Sequence, residues 1–165
     1  MTNLEPINQT KLYGLDKYFN ELVRFYNQGN YPNKILFSGQ KGIGKSTLAY
    51  HFINYVLTIN EHHKYDTQNF IINIDNPVFK TIINKSNTNL ISIDVNEDKK
   101  SIDINQIREL IINLNKSSFN NKPRFVLIDN IELLNINSIN ALLKVLEEPN
   151  DNIFFILINN NKKIL

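Results

Sequence analysis

Residues 34–47 read Lys34-Ile35-Leu36-Phe37-Ser38-Gly39-Gln40-Lys41-Gly42-Ile43-Gly44-Lys45-Ser46-Thr47, a short apolar run followed at once by a glycine-rich loop that ends in Lys-Ser. That order decides the fold class. Ile35–Phe37 predicts a strand, and the residues from Ser46 to about Leu57 keep helical spacing. Glycines between strand and helix let the backbone curl until successive N–H groups point at one centre, and phosphate oxygens then sit on the helix N-terminus. Lys45 can reach the β- and γ-phosphates, and the Ser46 hydroxyl can take a Mg²⁺ coordination position. The expected nucleotide-binding residues are therefore Gly39, Gln40, Lys41, Gly42, Ile43, Gly44, Lys45, Ser46 and Thr47. A loop that has kept its sequence and lost its ligand is the competing reading.

Outward from the loop, strands and helices alternate. Leu15 to Gln28 carries Leu15, Phe19, Leu22, Val23, Phe25 and Tyr26 at helical spacing and closes on Gly29. The pattern weakens between Asn60 and Asn89, where only Phe70–Ile74 and Val78–Ile83 are apolar. A second strand is predicted at Leu90–Val95. Asp103 suits an N-cap, and beyond it Ile104, Ile107, Leu110, Ile111 and Leu114 share one helix face. Phe125–Ile128 is a third strand, apolar without alternation, as a strand covered on both faces should be. Ser138–Glu148 predicts a helix stopped by Pro149, and Ile153–Ile158 a fourth strand. Alternation of this kind implies right-handed crossovers and a parallel sheet, with ligands at the strand C-termini. The expected fold is α/β, a three-layer parallel sheet with helices on both faces.

Composition narrows the function classes. A chain of 165 residues is long enough for one core. Its net charge of +2 is too mild to argue for nucleic acid. The absence of cysteine removes disulfides and thiolate metal sites and fits a reducing compartment. No apolar stretch approaches the roughly 20 residues of a membrane span, and no signal-peptide core opens the chain. The expectation is a cytoplasmic protein with no membrane partner. Asparagine and isoleucine make up about a third of the residues. Their AT-rich codons suggest genome bias, and the asparagines read as surface substitutions between patterned apolar runs. His62 and His63 are adjacent, and two imidazoles alone make a poor metal site, so they read as solvated loop residues.

Asp129 follows the third strand. A carboxylate there holds Mg²⁺ opposite the loop Ser or Thr in phosphate-loop enzymes, and an Asp after a strand is also an ordinary turn residue. The next residue is Asn130. An amide can orient water but cannot accept its proton, so a general-base contribution of roughly 10²–10⁴-fold should be missing. Glu132 is a weak candidate to substitute as base, with a solvated loop residue as the plainer reading. Asn159 closes the fourth strand, placed either to hydrogen-bond a γ-phosphate or water or to make a turn.

Phe125-Val-Leu-Ile-Asp-Asn-Ile-Glu-Leu-Leu-Asn135 together with Ser138-Ile-Asn-Ala-Leu-Leu-Lys-Val-Leu-Glu-Glu-Pro149 resembles a bacterial DNA polymerase III clamp-loader subunit of the AAA+ family. The run Asn140–Pro149 is the most specific piece. Leu12-Tyr13-Gly14-Leu15 resembles the family's nucleotide-base box, and Tyr31–Gly39 resembles its approach to the loop. Asp129-Asn-Ile-Glu132-Leu-Leu-Asn135 and Ser101–Leu110 follow the delta-prime style rather than that of the gamma/tau motor subunit, which usually shows Asp-Glu at the third strand.

The resemblance implies one AAA+ nucleotide-binding domain over residues 1–165, lacking the last strand, lid and collar that follow in the family. The sequence leaves open whether the chain is a fragment or a short form. It also implies an ATP- and Mg²⁺-binding subunit of the DNA polymerase III holoenzyme, with weak or no ATPase activity of its own and no zinc module. Its partners would be the other clamp-loader subunits and, through them, the sliding clamp and primed DNA. Lys144 lies on the helix that faces DNA in the family, yet Glu147 and Glu148 beside it oppose phosphate attraction. A gamma/tau-like motor subunit and a stand-alone phosphate-loop NTPase are the alternatives. Neither an acceptor site nor a Glu base is visible for the latter.

Overall fold

Four parallel strands form one sheet in the order β1-β4-β3-β2, with β1 at Lys34–Ser38, β2 at Leu90–Ile93, β3 at Arg124–Ile128 and β4 at Ile153–Asn159. They belong to a computed structural model that describes residues 4–96, 98–116, 120–147 and 152–161. The chain divides into two compact units, Met1–Pro32 with Gly42–Asn87, and Asn33–Lys41 with Thr88–Leu165.

The second unit contains the sheet. Register places Val126 opposite Phe155 and Ile128 opposite Leu157, with Ser38 of β1 level with Asn159. Phe125, Val126, Leu127 and Ile128 are all buried, so both faces of β3 are covered, as its unbroken apolar run requires. On one face Val126, Ile128 and Phe155 pack with Ile107 and Leu110 of the helix α4 (Ile104–Leu114) and Leu142 of α5 (Ile136–Glu147).

The polar residues of this unit stand at element ends. Asp103 caps α4 through the Asn105 N–H, and Gln106 reaches back to the Asp103 N–H at 3.0 Å, a complete capping box. Asn135 accepts the Ser138 N–H at 2.9 Å, so α5 starts two residues before the position expected from apolar spacing. Ser138, read as the first helical residue, is instead fully buried and donates to the Ile102 carbonyl. The Arg124 guanidinium donates to the carbonyls of Asn113, Leu114 and Lys116, and Lys34 Nζ donates to that of Leu146. Two strand-opening cations thus cover the orphan carbonyls at the C-terminal ends of α4 and α5. The expected stop of α5 at Glu148 and Pro149 lies outside the described residues.

β2 is shorter than its apolar run. The Asp129 N–H donates to the Ile93 carbonyl as the last rung, and Val95 N–H turns instead to the Asp94 carboxylate at 2.6 Å. β4 runs one residue further than expected, because Gly39 N–H pairs with the Asn159 carbonyl.

The first unit is helical: α1 at Asp16–Asn27, α2 at Lys45–Thr58 and α3 at Pro77–Ile83. In α2, 11 of 14 residues are buried, so it is the core of the unit rather than an amphipathic cover. Around it lie aromatic pairs: Tyr31 stacks on Phe52 at 4.9 Å, Phe19 stacks on Tyr65 at 4.9 Å, and Tyr55 meets Phe19 edge-on. The weakly patterned segment is held by specific bonds. Leu12 N–H donates to Phe70 O, and Asn76 caps α3 by accepting from Val78 N–H while its own amide donates to His63 O. His62 and His63 are exposed, with stacked rings. No helix among the described residues is long and apolar enough to cross a membrane.

Candidate functional site

Within the first unit, Gly42 and Gly44 both take left-handed backbone angles, φ +86° and +91°. An L side chain is strained there, and at Gly44 an added Cβ would also lie 3.0 Å from Leu15 Cδ1. Leu15 comes from the stretch read as a base box, so that stretch and the loop touch. Gly44 is the N-cap of α2 and makes no side-chain cap bond, and the first turn holds no acidic residue. The helix dipole at this opening turn favours an anion. Lys45 is buried at 7% exposure, Ser46 and Thr47 are half-buried, and Ile43, Gln40 and Lys41 are exposed.

On the same helix, His51 is fully buried and both ring nitrogens are occupied. Nδ1 lies 2.8 Å from the Tyr65 hydroxyl and Nε2 lies 3.1 Å from the Gln9 carbonyl. A carbonyl accepts only, so Nε2 carries the proton and Tyr65 O–H donates to Nδ1. Burial pushes the imidazole down to about 4, against a smaller upward pull from the Gln9 carbonyl. Sequence reading did not single out His51, because nothing in its local pattern marks a histidine that will be enclosed.

The second unit gathers polar side chains at the C-terminal ends of three strands. Asp129, after β3, accepts the Asn130 N–H at 2.8 Å and Asn160 Nδ2 at 3.0 Å on the same oxygen. Asn130 sits at φ +53°, accepts from Asn160 Nδ2 at 2.8 Å and donates its own Nδ2 to Asp94 Oδ1 at 2.7 Å. Glu132 accepts the Asn160 N–H at 3.1 Å, so it is tied into this cluster rather than left in solvent. Asn159 Oδ1 accepts the Asn161 N–H, which is turn chemistry. Asn160, one residue on, is the side chain that reaches Asp129. Asp94 and Asn160 were missed. The signal for Asp94 was present, an acid closing an apolar strand just as Asp129 does.

The structure thus brings Gly42–Thr47 together in the first unit and Asp129, Asn130, Glu132 and Asn160 in the second, where Gly39–Lys41 continue β1. A family model described as "DNA polymerase III, delta subunit" matches residues 14–165, loop and strand ends included. The chain belongs to this DNA polymerase III family. Among its curated relatives, the gamma/tau subunit of DNA polymerase III from Mycoplasma genitalium is 30% identical over 151 residues, 92% of this chain and 24% of that protein. The delta' subunit from Buchnera aphidicola subsp. Schizaphis graminum is 26% identical over 147 residues, 89% of this chain and 43% of its own length. The chain therefore spans less than half of the length of either of these polymerase III subunits.

Proposed function

We propose that this chain is the nucleotide-holding part of a delta-prime-type clamp-loader subunit, a cytoplasmic protein that binds Mg-ATP, turns it over slowly or not at all, and works beside other clamp-loader subunits to place a sliding clamp on primed DNA. The observation that carries the nucleotide reading is the opening of α2. A glycine N-cap at φ +91°, free of any side-chain cap, leads directly into the buried Lys45. That arrangement fits a phosphate group: backbone N–H donors, a helix dipole and a lysine, with no acid in the turn. Gly39 to Thr47 would hold the triphosphate. Ser46 from the loop and Asp129 from β3 are the Mg²⁺ ligands of the reading. Among the described residues no three His, Cys, Asp or Glu side chains gather into a metal site. Mg²⁺ suits such a protein, because it is usually held by one or two protein oxygens, substrate phosphates and water. When bound, the ion neutralises charge on the β- and γ-phosphate oxygens.

Slow turnover follows from Asn130, whose amide cannot take a proton, and from the engagement of Glu132 with Asn160 N–H. Asp129-Asn-Ile-Glu132-Leu-Leu-Asn135 supports the delta-prime assignment. Bound nucleotide would still stabilise the folded state and can set a subunit boundary by mass action. A motor role is the second reading, favoured by the 30% identity to a gamma/tau subunit.

Mg-ATP titration with released phosphate followed in the same sample tests this. Binding that is lost in Lys45→Ala, with negligible phosphate release, is the expected result. Brisk release supports the motor reading, with Glu132 as the base to mutate. Native protein that fails to bind overturns the nucleotide reading.

A further inference from the structure

Asp94 has no part in the reading above, yet it makes a short side-chain contact of 2.7 Å in the strand-end cluster. Parallel register sets Ile93 level with Ile128, and the Asp129 N–H to Ile93 O bond of 2.9 Å fixes that level. Asp94 and Asp129 therefore leave neighbouring strands side by side. Asn130 follows at φ +53° and ψ +46°, and its side chain bridges two groups. Its Nδ2 donates to Asp94 Oδ1 at 2.7 Å, and its Oδ1 accepts from Asn160 Nδ2 at 2.8 Å. The amide supplies both a donor toward the acid and an acceptor toward Asn160, as a carboxylate cannot. A carboxylate at position 130 would have no proton to offer Asp94 and would meet a like charge at hydrogen-bond distance. The left-handed backbone of Asn130 points the same way, because Asn enters that region more readily than Glu does.

We propose that Asp94 and Asn130 form an acid–amide pair across β2 and β3, in which Asp94 is a positioning residue that dictates an amide after Asp129 and thereby keeps a hydrolytic base out of that position. The pair itself stands on geometry alone, and its consequence for turnover rests on the nucleotide reading. In hydrolysis a water oxygen bonds to the γ-phosphorus as the bond from that phosphorus to the bridging oxygen breaks. The electron pair leaves on the diphosphate, and the water proton passes to a carboxylate and then to solvent. Asn130 cannot receive that proton, and Asp94 holds its Oδ1 toward Asn130 and the Val95 N–H. Placing an acid after Asp129 should therefore fail unless the acid at position 94 is removed in the same protein.

Four proteins decide this: native, Asp94→Asn, Asn130→Glu and the double exchange Asp94→Asn/Asn130→Glu. Thermal unfolding without nucleotide reads the pair, and phosphate release with Mg-ATP reads its consequence. Asn130→Glu should lose several degrees of Tm and leave phosphate release at the native level. The double exchange should regain part of that Tm, the left-handed backbone still disfavouring Glu, and raise release by roughly a hundredfold or more, within the usual range for a general base. The coupling in Tm is the signature, since independent sites would give additive shifts. Additive shifts, or release in Asn130→Glu alone that matches the double exchange, would overturn the pair. If Asn130→Glu does not purify folded, recovery of a folded double exchange is the expected rescue, and failure of both is the refuting result. If none of the four proteins binds Mg-ATP, the nucleotide reading fails while the Tm cycle still judges the pair.

Discussion

The two units solve the same packing problem with different materials. Around α2 the core is aromatic and has polar atoms at its centre: His51, Asn54, Thr58 and Asn76 are each buried to 3% exposure or less, and Tyr65 brings in a hydroxyl. Beneath the sheet the core is Ile, Leu and Val with Phe155, and the buried polar residues Asn89 and Ser138 stand where elements begin. Polar tips on buried rings favour partners, and the first core is tied by side-chain bonds such as His51 to Tyr65, Tyr55 O–H to Asn27 and Thr58 O–H to the Asn54 carbonyl. An aliphatic core needs none, and its polar residues are left to set element boundaries and to furnish the strand-end cluster. The first core should be sensitive to pH and to loss of ring geometry, the second to volume and to caps.

Large-to-small changes test that most strongly. Phe52→Ala and Phe155→Ala each remove a fully buried ring and should cost about 3–5 kcal/mol. The sharper comparison is with leucine, which keeps most of the volume. Phe52→Leu also forfeits the stack on Tyr31 and the edge contact with Tyr26, pairs worth roughly 0.5–1.5 kcal/mol each. Phe155→Leu joins an aliphatic neighbourhood and should be the milder change in urea unfolding. Equal losses would mean that ring geometry contributes nothing in the first unit.

Acid comes next in size. The folded imidazole of His51 titrates near 4 and an unfolded one near 6.5. Between those values the unfolded chain binds a proton that the folded chain refuses, so stability is whole above pH 6.5 and falls as pH drops toward 4. The full loss amounts to about 3 kcal/mol. Urea midpoints measured from pH 7.5 to 5 should decline in the native chain and decline less in His51→Gln. Parallel curves would show that His51 is not the titrating group. Tyr65→Phe, which removes the hydroxyl donor to Nδ1, should cost roughly 1–3 kcal/mol at pH 7.5, where the imidazole is neutral.

These same contrasts explain what could be read in advance. The order of strand, glycine loop and helix from Lys34 to Thr58 was legible because it is contiguous and its signals are local. The strands were legible because Phe125–Ile128 and Ile153–Ile158 are unbroken apolar runs, and Asp103 announced α4 because a cap acts within three residues. His51 was not legible, since Gln9 and Tyr65 lie 42 and 14 residues away along the chain. Nor was the strand-end cluster, because its pairing depends on register: Asn130 meets Asp94 across 36 residues, and one step along β4 decides whether Asn159 or Asn160 faces Asp129. α3 was indistinct because its start is set by Asn76 and Pro77 rather than by periodicity.

In the sheet unit the perimeter carries the polar bonds, and breaking them should act without regard to pH. Arg124→Met keeps an apolar stem and removes three donated bonds to the carbonyls at the end of α4, for an expected loss of about 1–3 kcal/mol. A smaller loss is expected at the other end of a helix. Asn135 accepts the Ser138 N–H as the cap of α5, and Asn135→Ala should cost about 1 kcal/mol. For a chain of this size that is a fall in Tm of roughly 2–4 °C. Because neither Asn135 nor the Ser138 amide titrates, the fall should be the same at pH 7.5 and pH 5, whereas Tyr65→Phe disturbs the bond partner of a group that does titrate. A pH-dependent penalty for Asn135→Ala would mean that the boundary of α5 is coupled to an ionisable group, and the contrast between the buried titrating imidazole of one unit and the pH-independent helix ends of the other would not hold.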